Sequence, residues 1–138
     1  MLGISGNLTL PSKTMGFVDH IVGQVAKKIG ASSATFDIQD LGPYFARSKR
    51  LGDLDLSARN IVEQLSSAAV LVVGSPTFKG SYTGLFKHFF DLLEPSSLKG
   101  KPIILAATRH RAAEKDGAGN LLATPPKSTP IVRSGKAP

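Results

Sequence analysis

The stretch Ala68–Gly74, AAVLVVG, is apolar at every position and is bounded by helix-period patterns on both sides. A run this short and this uniformly apolar fits a strand covered on both faces, which places it in the middle of a parallel sheet. The rest of the chain must then supply helices for two faces. From Lys13 the residues Met15, Val18, Val22, Val25 and Ile29 recur at steps of three and four, Ile21 widens the same stripe, and Gly30 stops it. Met1–Ser5 and Ala34–Ile38 read as strands on either side of that helix. Leu41–Asp55 reads as a polar surface connection. Ser57 is the expected N-cap of a second helix, with Ala58, Ile61, Val62 and Leu65 inward. After the apolar strand, Leu85, Phe86, Phe89, Phe90 and Leu93 define a third helix closed by Pro95, and IILAAT is a fourth strand ending at Thr108. The order β-α-β-α-β-α-β predicts an α/β domain with a doubly wound parallel sheet.

A length of 138 residues suits one domain with a real core. The chain has no cysteine, which excludes disulfides, thiolate metal sites and cysteine nucleophiles, so redox chemistry requires a borrowed cofactor. The net charge of +7 raises nucleic acid as a partner. Its distribution argues against it: residues 1–108 hold 11 Lys/Arg against 8 Asp/Glu, and residues 109–138 hold 6 against 2. The body has no basic stripe interleaved with aromatics, so no nucleic acid is expected. No apolar run is long enough for a bilayer, and MLGISGNLTL lacks the basic start and apolar core of a secretory signal, so the expectation is a cytoplasmic protein with no membrane partner. His20, His88 and His110 stand far apart and make no metal set, Asp53 and Asp55 read as a solvated charged loop, and no carboxylate pair suits hydrolysis.

In such sheets ligands gather at the carboxyl ends of the strands, where strand order reverses. Three loops end there. The first, Ser5–Thr14, combines small residues, hydroxyls and the N-terminus of the following helix, all suited to a phosphate. The plainer alternative is that Ser12 only caps that helix. The loop contains neither G-x-G-x-x-G nor G-x-x-x-x-G-K-[ST], so neither a dinucleotide-binding Rossmann turn nor an NTPase is indicated. The second loop, Ser75–Gly84, offers Pro76, Phe78 and Gly80 to a flat ring with polar edges, the alternative being that Phe78 and Tyr82 simply pack on the core. The third begins at Thr108.

Over residues 1–108 the chain resembles the NADPH-dependent FMN reductases, particularly those supplying reduced flavin to two-component alkanesulfonate and related monooxygenases. The segment SPTFKGSYTGLFKHFFDLLEPSSLKGKPIILAAT is similar to the family pattern SPVYKxSYxGxxKxxxDLL followed by GK and a strand ending in AT, and S-G-x-x-x-x-P-S-K-T is similar to its phosphate loop. The resemblance implies a flavodoxin-like doubly wound sheet with strand order 2-1-3-4-5. It implies Ser5, Ser12, Lys13 and Thr14 around the FMN phosphate, Pro76, Thr77, Phe78, Lys79 and Gly80 along the isoalloxazine ring, and Thr108 at the third loop. NADPH or NADH would pass hydride to the ring with no catalytic side chain, and a flavin-dependent monooxygenase would take the product. The alternatives are a flavodoxin-like electron carrier without a nicotinamide site and a remnant with little activity.

Two features depart from the family pattern. Phe78 stands where many members have Tyr, and Thr108-Arg109-His110-Arg111 replaces the usual AT-Gly-Gly. Residues 109–138, rich in proline and basic residues, therefore read as an irregular tail with at most a short helix near Ala112, as after a truncation or an out-of-frame ending. On this reading the sheet lacks its fifth strand. The fourth strand, with Ile103, Ile104, Leu105 and Ala106, is then an open apolar edge that favours a homo-oligomer.

Overall fold

The computed structural model describes residues 1–109 and 129–136. Its elements run β1 Leu2–Ser5, α1 Lys13–Ile29, β2 Ala34–Asp37, α2 Leu56–Ser67, β3 Leu71–Pro76, α3 Gly84–Leu92, β4 Pro102–Arg109 and β5 Thr129–Lys136, with three short 3-10 turns between β2 and α2. The strand order is β2-β1-β3-β4-β5. The first four strands are mutually parallel, in register from Leu2 beside Ala34 and Leu71 to Leu71 beside Ile103.

Strand alternation sends two sets of side chains into two layers. Leu2, Ile4, Leu71 and Val73 pack with Ile61 and Leu65 of α2 and Phe89 and Leu92 of α3. Val72 packs on the opposite side with Val18 and Val22 of α1. Helix α1 lies so close to the sheet that a Cβ on Gly74 would collide with Val18, and one on Gly3 with Val22 and Val18. This close seating fixes the N-terminus of α1 relative to the carboxyl ends of β1 and β3, which is where a ligand site forms.

Three sequence expectations need correction. The sheet does not lack a fifth strand, and β4 is not its edge: β5 pairs with β4 antiparallel from Pro102 opposite Lys136 to Arg109 opposite Thr129. As an edge, β4 would leave the N–H and C=O groups of alternate residues without a strand partner, and the later chain supplies one, so 129–136 is strand and not irregular tail. Pro130, lacking an N–H, is tolerated opposite Thr108 because β5 is itself an edge. Second, α2 begins two residues earlier than the Ser57 cap implies, because the Asp55 carboxylate accepts from Ala58 N at 2.8 Å and caps the helix instead. Third, Ile38 belongs to a 3-10 turn after β2 rather than to the strand. The helix expected near Ala112 lies outside the described residues.

Candidate functional site

The carboxyl ends of β1, β3 and β4 meet at one edge of the sheet, tied by bonds between loops. Gly6 N donates to Gly74 O at 2.8 Å, and Thr77 N donates to Thr108 O at 2.7 Å. The Thr14 and Thr108 hydroxyls are 2.6 Å apart and buried, joining the first turn of α1 to the end of β4 across 94 residues. The loops expected to form a site are thus brought together.

Within the first loop the four chosen residues have different surroundings. Ser12 is the N-cap of α1, its Oγ accepting from Met15 N at 3.1 Å while Gly16 N donates to Ser12 O. That leaves the hydroxyl proton of Ser12 and the N–H groups of Lys13 and Thr14 directed to the space before the helix, a donor set for an anion. Lys13, the first helical residue, is exposed. Ser5 is fully buried, and its hydroxyl donates to Asn7 Oδ1 at 2.7 Å, so its proton is committed inside the loop. Thr14 and Thr108 share one bond between two hydroxyls, so one proton of the pair stays free to donate.

The second loop is a tight hairpin. Phe78 N donates to Ser81 O at 2.6 Å and Ser81 N to Phe78 O at 3.0 Å, with Lys79 and Gly80 between them at φ of 48° and 85°. Positive φ at both central positions is the signature of a type I′ turn, in which Gly80 is unstrained and Lys79 is not. Gly80 has open space around its missing side chain. Phe78 is half exposed rather than packed on the core, and Lys79 Nζ stands 5.7 Å from the centre of its ring. Pro76, Thr77 and Gly80 also border a 390 Å³ cavity floored by Phe86 and Leu105 on the α3 side of the sheet, whereas Thr14 and Thr108 lie on the α1 side.

Residues not singled out from sequence support this edge. Asn7, almost fully buried, accepts from Ser5 and donates to Thr9 O at 2.8 Å, which shapes the first loop. Thr83 stands at the N-cap position of α3 but forms no cap bond; its hydroxyl donates to Gly6 O at 2.7 Å and links the two loops. Neither carries a local signal, because both partners are remote or depend on the loop's folded path. His88 Nε2 lies 3.2 Å from Phe45 O and His20 is exposed. Among the described residues no helix is long and apolar enough to cross a membrane, and no three His, Asp or Glu residues form a metal cluster.

Comparison with known proteins places this geometry. A family model described as NADPH-dependent FMN reductase matches residues 1–121. An NADH-dependent FMN reductase, SfnF, of Pseudomonas putida is 36% identical over 114 residues, covering 76% of this chain and 57% of that protein. An FMN reductase (NADPH) of Pseudomonas aeruginosa is 30% identical over 112 residues, covering 78% and 58%. The chain therefore spans somewhat over half the length of these relatives. Among solved structures, an NADH:FMN oxidoreductase in its apo form aligns with a TM-score of 0.66 at 30% identity, covering 72% of this chain and 52% of that one. An oxidoreductase from Corynebacterium diphtheriae aligns at 0.64 and 33% identity, covering 77% and 62%. The matched segment contains both converging loops, and on it the chain belongs to the NADPH-dependent FMN reductase family.

Proposed function

We propose that residues 1–108 form the flavin-binding unit of an NAD(P)H-dependent FMN reductase, which passes hydride from NADPH or NADH to FMN and so supplies reduced flavin. The observation that carries this reading is the convergence of an anion-directed helix N-terminus and an exposed type I′ hairpin at one sheet edge. These residues fit the group. Ser12, the Lys13 ammonium, the first-turn N–H groups and the spare proton of the Thr14–Thr108 pair suit the phosphate, while Ser5 acts indirectly by holding Asn7. Pro76, Thr77, Phe78, Lys79 and Gly80 offer an open surface to the isoalloxazine ring. Bound flavin supplies the redox chemistry itself. The protein's own part is to orient the ring, leave one face open to nicotinamide, and hold the phosphate, with no side chain acting as acid or base.

A flavin-dependent monooxygenase is the proposed consumer of the product, supported by the resemblance of the second-loop motif to reductases of two-component systems. A homo-oligomer belongs to the same proposal. Its support is the exposed Tyr82 and Leu105 side chains rather than an open β4 edge.

Steady-state oxidation of NADPH or NADH that depends on added FMN is the expected result. FMN retained without nicotinamide oxidation would make the chain a flavin-holding electron carrier, and absence of flavin binding in a fluorescence titration would reject the site altogether.

A further inference from the structure

Beneath the phosphate loop lies an ionisable group that the proposed reaction does not use. Asp37 ends β2, in register beside Ser5, and is 4% exposed. Its Oδ1 accepts from Gln39 N at 2.8 Å, while its Oδ2 is buried with no hydrogen-bond partner. A buried carboxylate oxygen without a donor is costly, and protonation removes the charge, the larger part of that cost. Burial pushes the Asp37 carboxyl up from its ordinary 3.8, the Gln39 N–H and the neighbouring Asn7 amide oppose this, and the charge of Asp40 adds to it.

The surrounding charges are few. Asp40, on the 3-10 turn Ile38–Leu41, accepts from Asp37 N at 2.8 Å. On α1, Asp19 is held by the Thr35 hydroxyl two residues before Asp37, and Lys13 opens the helix. The β1–α1 loop itself contributes Ser5 and Asn7, which are neutral, and no cation pairs with Asp37 among the described residues.

We propose that Asp37 is a proton-linked positioning residue of the phosphate loop: seated beside Ser5 and Asn7, its anion and a phosphate dianion in the loop disfavour one another, and Asp37 takes a proton from solvent when the phosphate binds. The neutral carboxyl then places no uncompensated charge in this buried position. The flavin reading supplies only the identity of the phosphate. By reciprocal linkage, each pK unit by which phosphate raises Asp37 is about a tenfold loss of phosphate affinity as pH rises through that window.

The test is FMN affinity by flavin fluorescence for the full chain and for Asp37→Asn, an isostere that keeps the acceptor for Gln39. The phosphate titrates near pH 6 on its own account, and the ratio of the two dissociation constants cancels that contribution. The Kd ratio of wild type to variant is expected to rise about tenfold for each pK unit of coupling as pH is raised through the elevated Asp37 titration. With riboflavin it should stay flat. A flat ratio with FMN, or an equal rise with riboflavin, overturns the coupling. Inorganic phosphate is titrated in parallel. If it reproduces the ratio while FMN does not bind, the flavin reading fails and the coupling stands; if neither binds, both fall. Should the variant not fold, the carboxyl carbon of Asp37 in the wild-type protein is followed by NMR with and without inorganic phosphate. An upward move of its titration is expected, and an unmoved titration refutes the proposal.

Discussion

The Thr14–Thr108 pair offers the most direct test of how the site edge is held together. Each hydroxyl is buried, and the other is its partner at 2.6 Å. Thr→Val keeps the shape and removes the hydroxyl. Either single change strands the remaining hydroxyl away from water, which costs about 1–3 kcal/mol. The double change removes both polar groups and should cost less than the sum of the singles, leaving a coupling energy of about 1 kcal/mol or more. Urea unfolding of Thr14→Val, Thr108→Val and the double variant measures all three terms in one cycle. Additivity within about 0.5 kcal/mol would show that the hydroxyls do not depend on each other, and the proposed tie between α1 and β4 would be lost with it. The same variants carry a binding consequence: removing the pair's spare proton should weaken FMN more than riboflavin, since only FMN carries the phosphate.

Three further outcomes follow from the geometry. Gly6→Ala places a Cβ on the Phe86 ring and should lower stability by about 1–3 kcal/mol in thermal or urea unfolding, with no loss if Phe86 swings away freely. Lys79→Gly relieves a positive φ in the hairpin and should raise the melting temperature slightly, by the equivalent of about 0.5–1 kcal/mol; a fall would mean that the ammonium over Phe78 outweighs the strain. The backbone N–H groups of Lys49 and Arg50 hold the Asp53 carboxyl below its ordinary value of 3.8, so its contribution to stability is present above that value and lost as pH falls through the depressed one. Asp53→Asn should flatten that acid limb, and an unchanged limb would assign it to other carboxylates.

What could be read from sequence was what local chemistry decides. Leu71–Gly74 of AAVLVVG became the start of β3 while Ala68 capped the preceding helix, the three-and-four spacing from Met15 to Ile29 became α1, and Ser12 became its cap, each because hydrophobic period and capping act within a few residues. Asp55 in place of Ser57 is a small error of the same kind, since two good caps two residues apart compete and the carboxylate prevails. The strand β5 was misread because its composition, with Pro130 and Gly135, argues for a loop, while the requirement that makes it a strand lies in the open edge of β4. The two loops marked by the motif are brought together by the fold, but the atoms that organise them carry no signal in the sequence. Thr14 with Thr108, Thr83 with Gly6 and Ser5 with Asp37 are pairs made by the fold, and no spacing announces them.

The place of β1 in the sheet has a consequence for how the chain folds. β1 precedes both of its sheet neighbours in the chain, β2 and β3, and lies between them, so Leu2 meets Ala34 on one side and Leu71 on the other. A nascent chain therefore carries the apolar Leu2 and Ile4 without their final neighbours until β3 has emerged. Pairings between segments this distant close large loops before they are rewarded, so folding is expected to be slow for a chain of this size. During that interval the β1 segment is the part most exposed to capture by a chaperone or by another unfinished chain.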